Sequence, residues 1–267
     1  MNVSGNLIKM RTELNNPVSY FLTLGQKEIF MNELIGKSIT LEHNGVINCI
    51  HCGAVTKKSY SQGFCYNCMQ TAPEADQSVI RPELSLAQFG VAKDLNWANE
   101  HDLIDHYVYL SVTNNLKVGV TRYHQIPTRW IDQGAVQAIV LAKTPNRHIA
   151  GIIENYLKQY VADVTKWQAM LKNEINENID LLAEKERISK LLPLELQRYI
   201  DTDNSITKMF YPGSFRLEII NTTGFEKNNL IEGNIAGIKG QYFIFDNNNV
   251  LNIRKYSGYY VNFRVNN

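Results

Sequence analysis

The chain has 267 residues, with 27 Lys and Arg against 26 Asp and Glu, 44% hydrophobic residues and 10% aromatics. Such a chain can bury a core, and intrinsic disorder, collagen and coiled coil are excluded. A net charge of +1 gives no global attraction to nucleic acid, so binding of that kind would need a local patch. No stretch approaches the roughly 20 apolar residues of a membrane helix, and MNVSGNLIKMRTELNN at the start has no apolar run of signal-peptide length. No membrane partner and a cytoplasmic address are expected, with protein partners left open.

Residues 1–48 alternate in short apolar runs, Pro17 to Leu24 and Ser38 to Leu41, with Gly36 and His43-Asn44-Gly45 as turn signals; this predicts β structure. The four cysteines follow together, as Cys49-Ile50-His51-Cys52 and Cys65-Tyr66-Asn67-Cys68. A CxxC turn points two thiolates at one centre, and two such turns supply the tetrahedral shell of a structural Zn(II), so residues 49–70 are expected to be a zinc ribbon. Gly53 and Gly63 sit where knuckle turns need a small residue. Two disulfides are disfavoured without an export signal, and a redox motif needs no duplicate. Lys57, Lys58, Tyr60 and Tyr66 form a basic and aromatic mixture on this module, either a nucleic-acid contact or a solvated hairpin tip.

Residues 71–103, with Pro73, Pro82 and many polar side chains, read as an irregular connector. Residues 104–172 read as a β-β-α-β-α unit. A hairpin runs from His106 to Val112, turns at Thr113-Asn114-Asn115 and returns from Leu116 to Thr121. A short helix near Gln125 to Asp132, a strand Val136 to Ala142 and a long helix from an Asn146 cap into the 170s complete it. On the long helix Arg147, Ala150, Gly151 and Glu154 share a face that admits close approach. Residues 173–204 read as a helical segment broken by Pro193, and 205–267 as strands Ser214 to Ile220, Asn234 to Ile238, Gln241 to Asp246, Val250 to Lys255 and Gly258 to Val265. Asn247-Asn248-Asn249 is a hairpin turn, and Gly237-Ile238-Lys239-Gly240-Gln241-Tyr242 reads as a tight β turn rather than a phosphate loop.

The expected class is therefore α+β: a zinc ribbon, a unit with a three-stranded antiparallel sheet and helices, and a small β domain in which 1–48 pairs with 205–267. Within 104–172 lie His106, Tyr107, Tyr109, Lys117, Gly119, Arg122, Arg129 and Glu154. Tyr107-Val108-Tyr109, Lys117-Val118-Gly119, Arg129-Trp130 and the helical Glu154 resemble the GIY-YIG endonuclease superfamily, with His106 in place of its first glycine and Lys117 in place of its second tyrosine. More of the chain resembles a family labelled domain of unknown function 2797, through the cysteine pairs, Lys117-Val118-Gly119, Arg129 to Ala135 and Gly237 to Tyr242. That second resemblance implies no activity.

The nuclease resemblance implies that Tyr109 helps activate water, Arg129 holds the scissile phosphate, and Glu154 binds one Mg(II) or Mn(II). Phosphodiester hydrolysis needs those three functions, and arginine offers a bidentate fork to phosphate. Tyr109 acts as a base only if a cation such as Lys117 lowers its pKa, and His106 is a substitute base. Against these roles stand packing for Tyr107 and Tyr109, backbone geometry for Gly119, and an ion pair of Glu154 with Arg147 or Arg129. Lys57, Lys58, Arg122 and Arg129 are the expected nucleic-acid contacts. A non-catalytic adaptor for nucleic acid or protein, its zinc purely structural, is the alternative; a small-molecule enzyme is a third.

Overall fold

The structure is a computed structural model that describes residues 1–266. It is mixed α+β and divides into two compact units, residues 1–75 with 210 onward, and residues 76–209. Among the described residues, no helix is long and apolar enough to cross a membrane.

The first unit joins both ends of the chain, as the alternating apolar patterns predict. Its largest sheet has Ser38–Asn48 between Tyr259–Val265 and Leu230–Lys239, with Asn2–Asn6 on the far side of Tyr259–Val265. Leu41 pairs with Ile231 on one side and Phe263 on the other, and Val3 pairs with Phe263. These four are buried, together with Ile39, Ile238, Phe243 and Val261. Alternation of such residues holds the register, because a slip of one would expose the whole set. A separate sheet pairs Ser19–Leu24 with Arg11–Glu13 and Lys27–Phe30.

Two expectations for this unit are corrected. His43-Asn44-Gly45 is no turn: Ser38–Asn48 runs straight through it. His43 pairs with Val261 and Ile47 with Tyr259, so the extra residues bulge, with Gly45 taking φ 87°. Continuing the strand buries Ile47 and delivers the chain to the cysteines. Ser214 to Ile220 is no strand either; Phe215 packs against Gly237, where a Cβ would overlap its ring, and this contact rather than ladder pairing sets the path. Gly240, at φ 61°, turns the chain between Lys239 and Tyr242, the expected tight β turn.

In the second unit His106–Val112 pairs with Leu116–Arg122 and, on its other side, with Gln137–Thr144. The sheet has four strands where three were expected, because Thr207–Lys208 adds to the outer edge of Gln137–Thr144. Val108, Leu110, Val112 and Val118 bury one face against Ala150, Ile153 and Leu157 of the helix Arg147–Leu157. Asn146 caps that helix by accepting from Ile149 N–H at 3.0 Å, as expected.

The helix ends at Leu157 and does not reach the 170s. The run Val161-Ala162-Asp163-Val164-Thr165 is rich in β-branched residues and satisfies the edge of the hairpin instead: Val118 N–H donates to Ala162 O at 2.8 Å. The segment expected as a connector carries three-ten turns and the helix Leu95–His101, and from Asp76 onward it belongs to the second unit. Its Pro82–Leu84 turn lies on the small-residue face of Arg147–Leu157. A Cβ on Gly151 would overlap Glu83 N and Pro82 C and stand 2.8 Å from Glu83 Cα. The close approach that this face admits is therefore made by the chain itself.

Candidate functional site

Two groups of side chains carry chemistry, one in each unit. In the first, Cys49 follows directly on the strand Ser38–Asn48 and Gly53 turns the chain at φ 73°. Tyr60 and Phe64 pair across the intervening hairpin, and Gly63 passes beneath Ile50 at φ 138°. Cys65 caps the short helix Tyr66–Thr71, its Sγ accepting from Cys68 N–H at 3.4 Å. These turns bring Cys49, Cys52, Cys65 and Cys68 together, all four sulfurs within 4.8 Å of one another and none in a disulfide. A ZnS4 tetrahedron with bonds of about 2.3 Å sets its sulfurs roughly 3.8 Å apart, and Cys52 and Cys65 stand at 4.0 Å. The donor set can hold a soft divalent metal such as zinc. Burial raises the Cys49 thiol, but backbone N–H donors from Cys52, Cys65 and His51 outweigh it and bring it to about 6.

Among the described residues, Cys49, Phe64, Cys68 and Ala72 form the buried apolar cluster of this module, with Cys65, Met69 and Ala75 packed partly buried against it. Outside it, Tyr66 is 60% exposed and meets Tyr60 edge-on at 5.6 Å, while Lys58 Nζ stands 5.1 Å from the Tyr60 ring centre. Lys57 is exposed beside them.

In the second unit, the hairpin register sets Tyr109 opposite Gly119. The glycine makes room for the ring, since a Cβ there would lie 2.5 Å from the phenol oxygen and 2.7 Å from Cζ. That is its role, rather than backbone geometry. Tyr109 is fully buried, edge-on to Trp130, and donates to Gln133 Oε1 at 2.8 Å. Burial pushes the phenol above its ordinary pKa, against the opposing charge of Arg129. The lowering by Lys117 that a basic Tyr109 requires is not found.

Lys117 lies on the same strand face as Gly119, two residues away, with Nζ 3.4 Å from Thr165 Oγ1. Burial, and then Arg129, lower its pKa to about 8, with Glu154 and Asp163 opposing. Arg129 stands half-buried on the helix Thr128–Asp132 with no carboxylate partner among the described residues. Glu154 is 8% exposed and accepts no hydrogen bond among the described residues; its ion pair is neither arginine but Lys158, at 3.9 Å. Burial raises Glu154 to about 7, with Lys158 lowering it and Asp163 raising it. Arg147 is committed elsewhere, its Nε 2.6 Å from Asp102.

Tyr109, Lys117, Arg129 and Glu154 are thus electrostatic neighbours around one edge of the hairpin. Two other sequence candidates are engaged elsewhere. Tyr107 shares the Tyr109 face but sits under Lys143, whose Nζ is 5.5 Å from the ring centre. His106 is on the opposite face, buried, with Nδ1 2.8 Å from Ile104 O; burial, then Arg147 and Arg122, lower it to about 3. Sequence reading missed Lys158 and Asp163, which bridge at 3.2 Å, and Thr165. Lys158 was open to discovery as the i+4 partner of Glu154; the other two depend on the chain crossing the hairpin edge.

A carboxyl raised on folding contributes stability below its unfolded value near 4.5, and that contribution is lost as pH rises through about 7. Metal-free Glu154→Gln is therefore expected to exceed the parent by roughly 2 kcal/mol near pH 8 and to match it near pH 4, read from urea midpoints. Coincident pH profiles would show that the carboxylate is not desolvated.

Compared with known proteins, the chain matches no curated protein and no solved structure. One family model does match, over residues 36–261, and so takes in the cysteine cluster, the hairpin site and the strands that return from the C-terminal end. With most of its length covered, the chain belongs to the family described as "Protein of unknown function (DUF2797)".

Proposed function

We propose that the protein binds nucleic acid through a zinc ribbon and a GIY-YIG-like unit, and that the unit hydrolyses phosphodiester bonds with Mg(II) or Mn(II). The observation that carries this reading is Arg129: a half-buried guanidinium with no carboxylate partner, beside Lys117 and a near-neutral Glu154. Leaving a cation so placed unneutralised is costly, and a phosphate oxygen pair is the partner its fork suits. Zinc at the four cysteines is a fold element in this reading.

Within the site, Arg129 and the protonated Lys117 neutralise the phosphate, and Glu154, once ionised, offers oxygen to a hard cation. That cation supplies Lewis acidity and an acidified water when bound. Tyr109 keeps its proton and, through Gln133, positions the helix that carries Arg129. One observation favours the adaptor instead. Tyr109 is fully buried with its hydroxyl already donated, so it reaches no substrate without rearrangement.

The test is cleavage of labelled DNA and RNA by zinc-loaded protein with Mg(II) or Mn(II), beside Glu154→Ala and Arg129→Ala, with binding read by gel shift. Hydrolysis falling by about 10²-fold in both variants is expected. Binding without cleavage moves the protein to the adaptor class; absence of both binding and cleavage makes nucleic acid the wrong ligand.

A further inference from the structure

Arg122 ends the second hairpin strand, five residues and so about 17 Å beyond Lys117, and, like its register partner His106, lies on the opposite face of the hairpin. Its side chain is half-buried and makes no ion pair or hydrogen bond among the described residues. The carboxylate that acts on it, Asp102, is already taken by Arg147 Nε at 2.6 Å and Ser85 Oγ at 3.1 Å. Rings follow it directly in the chain. Tyr123, 49% exposed, meets the exposed His124 edge-on at 5.1 Å, and its N–H donates to Asp105 O at 3.0 Å, which fixes the turn. On the helix Leu95–His101, Trp97 and His101 stack with centroids 4.2 Å apart and planes within 3°. The helix ends at His101, four residues before the Asp105 whose carbonyl holds Tyr123 N–H, and His101 and Arg122 both act on His124; the two ring pairs are therefore neighbours.

Stacked and half-exposed rings beside an unpaired guanidinium are the equipment for holding unpaired bases with one backbone phosphate between them. A duplex keeps its base faces stacked internally and would leave the rings idle, while an aliphatic partner would leave Arg122 unneutralised. We infer that Trp97, His101, Arg122, Tyr123 and His124 form a landing platform for single-stranded nucleic acid, at the far end of the hairpin from Lys117 and on its other face. This rests on the nucleic-acid reading above and adds strandedness to it.

The experiment measures fluorescence anisotropy of labelled oligothymidine, oligouridine and a hairpin duplex with zinc-loaded full-length protein, Tyr123→Ala, Tyr123→Phe, Arg122→Gln and Trp97→Ala. Tyr123 is half-exposed, so its variants keep the fold, which unchanged melting confirms. Single-strand Kd should rise about tenfold in Tyr123→Ala, Trp97→Ala and Arg122→Gln, with Tyr123→Phe at the parental value and duplex Kd unmoved. Equal losses on duplex overturn the single-strand assignment. If the parent binds strands and the variants bind equally well, the platform is refuted while nucleic-acid binding stands. Failure of the parent to bind any of the three removes both.

Discussion

Removing the metal from the zinc-loaded protein with a chelator is expected to abolish hydrogen-exchange protection between Cys49 and Ala72 and leave that of Val118 and Ala150 unchanged. The buried centre of the module is two cysteines, one phenylalanine and one alanine, far too little apolar area to repay the ordering of some twenty residues. The expectation is that metal affinity supplies the difference; structural zinc in small modules contributes on the order of 10 kcal/mol. Loss should stop at Asn48, whose N–H is held by Gly258 O at 2.8 Å within the sheet. Cys52→Ser should have the same effect without a chelator. Protection that survives chelation would mean that the cysteines are not a metal centre.

Gly151→Ala should destabilise the protein by about 2–3 kcal/mol, although alanine is the better helix former by roughly 1 kcal/mol. The clash wins because the added methyl meets backbone, Glu83 N and Pro82 C, rather than the far end of a flexible side chain. Relief requires the Pro82–Leu84 turn to lift, taking with it Ser78, whose carbonyl accepts from Arg147 Nη1 at 3.1 Å. Ile152→Ala, one residue along and 38% exposed, is the control and should cost far less. A melting temperature unchanged or raised in Gly151→Ala would show that this turn does not rest on the helix.

What could be read from the residues was what short-range chemistry dictates. Cysteine spacing announced the cluster, and the Thr113-Asn114-Asn115 turn with its flanking apolar residues announced the hairpin that sets Tyr109 against Gly119. The order β-β-α-β-α within 104–172 was legible for the same reason. Thr207–Lys208 was not, because two residues carry no period and become a strand only where Gln137–Thr144 offers an edge. His43-Asn44-Gly45 has the composition of a turn, yet partners on both sides of Ser38–Asn48 hold it extended. At the hairpin site the residue types were legible and their electrostatics were not. That Lys117 falls to about 8 and Glu154 rises to about 7 follows from burial, which depends on where Val161 to Thr165 crosses the hairpin edge.

The unit made from both chain ends also constrains the order of events at the ribosome. Beyond a short local pairing with Val55–Thr56, Ser38–Asn48 finds its partners at Leu230–Lys239 and Tyr259–Val265, so its two long edges wait until those strands have emerged, while Arg11–Glu13, Ser19–Leu24 and Lys27–Phe30 can pair among themselves. Residues 76–209 hold their own contacts and can complete themselves in the interval. Closing a loop of that length costs more than any local hairpin, and a compact insert in place of slack chain reduces that cost. A ribosome stalled before residue 230 would therefore carry a finished middle and an exposed strand edge, the state in which this chain is most open to chaperones and to mispairing.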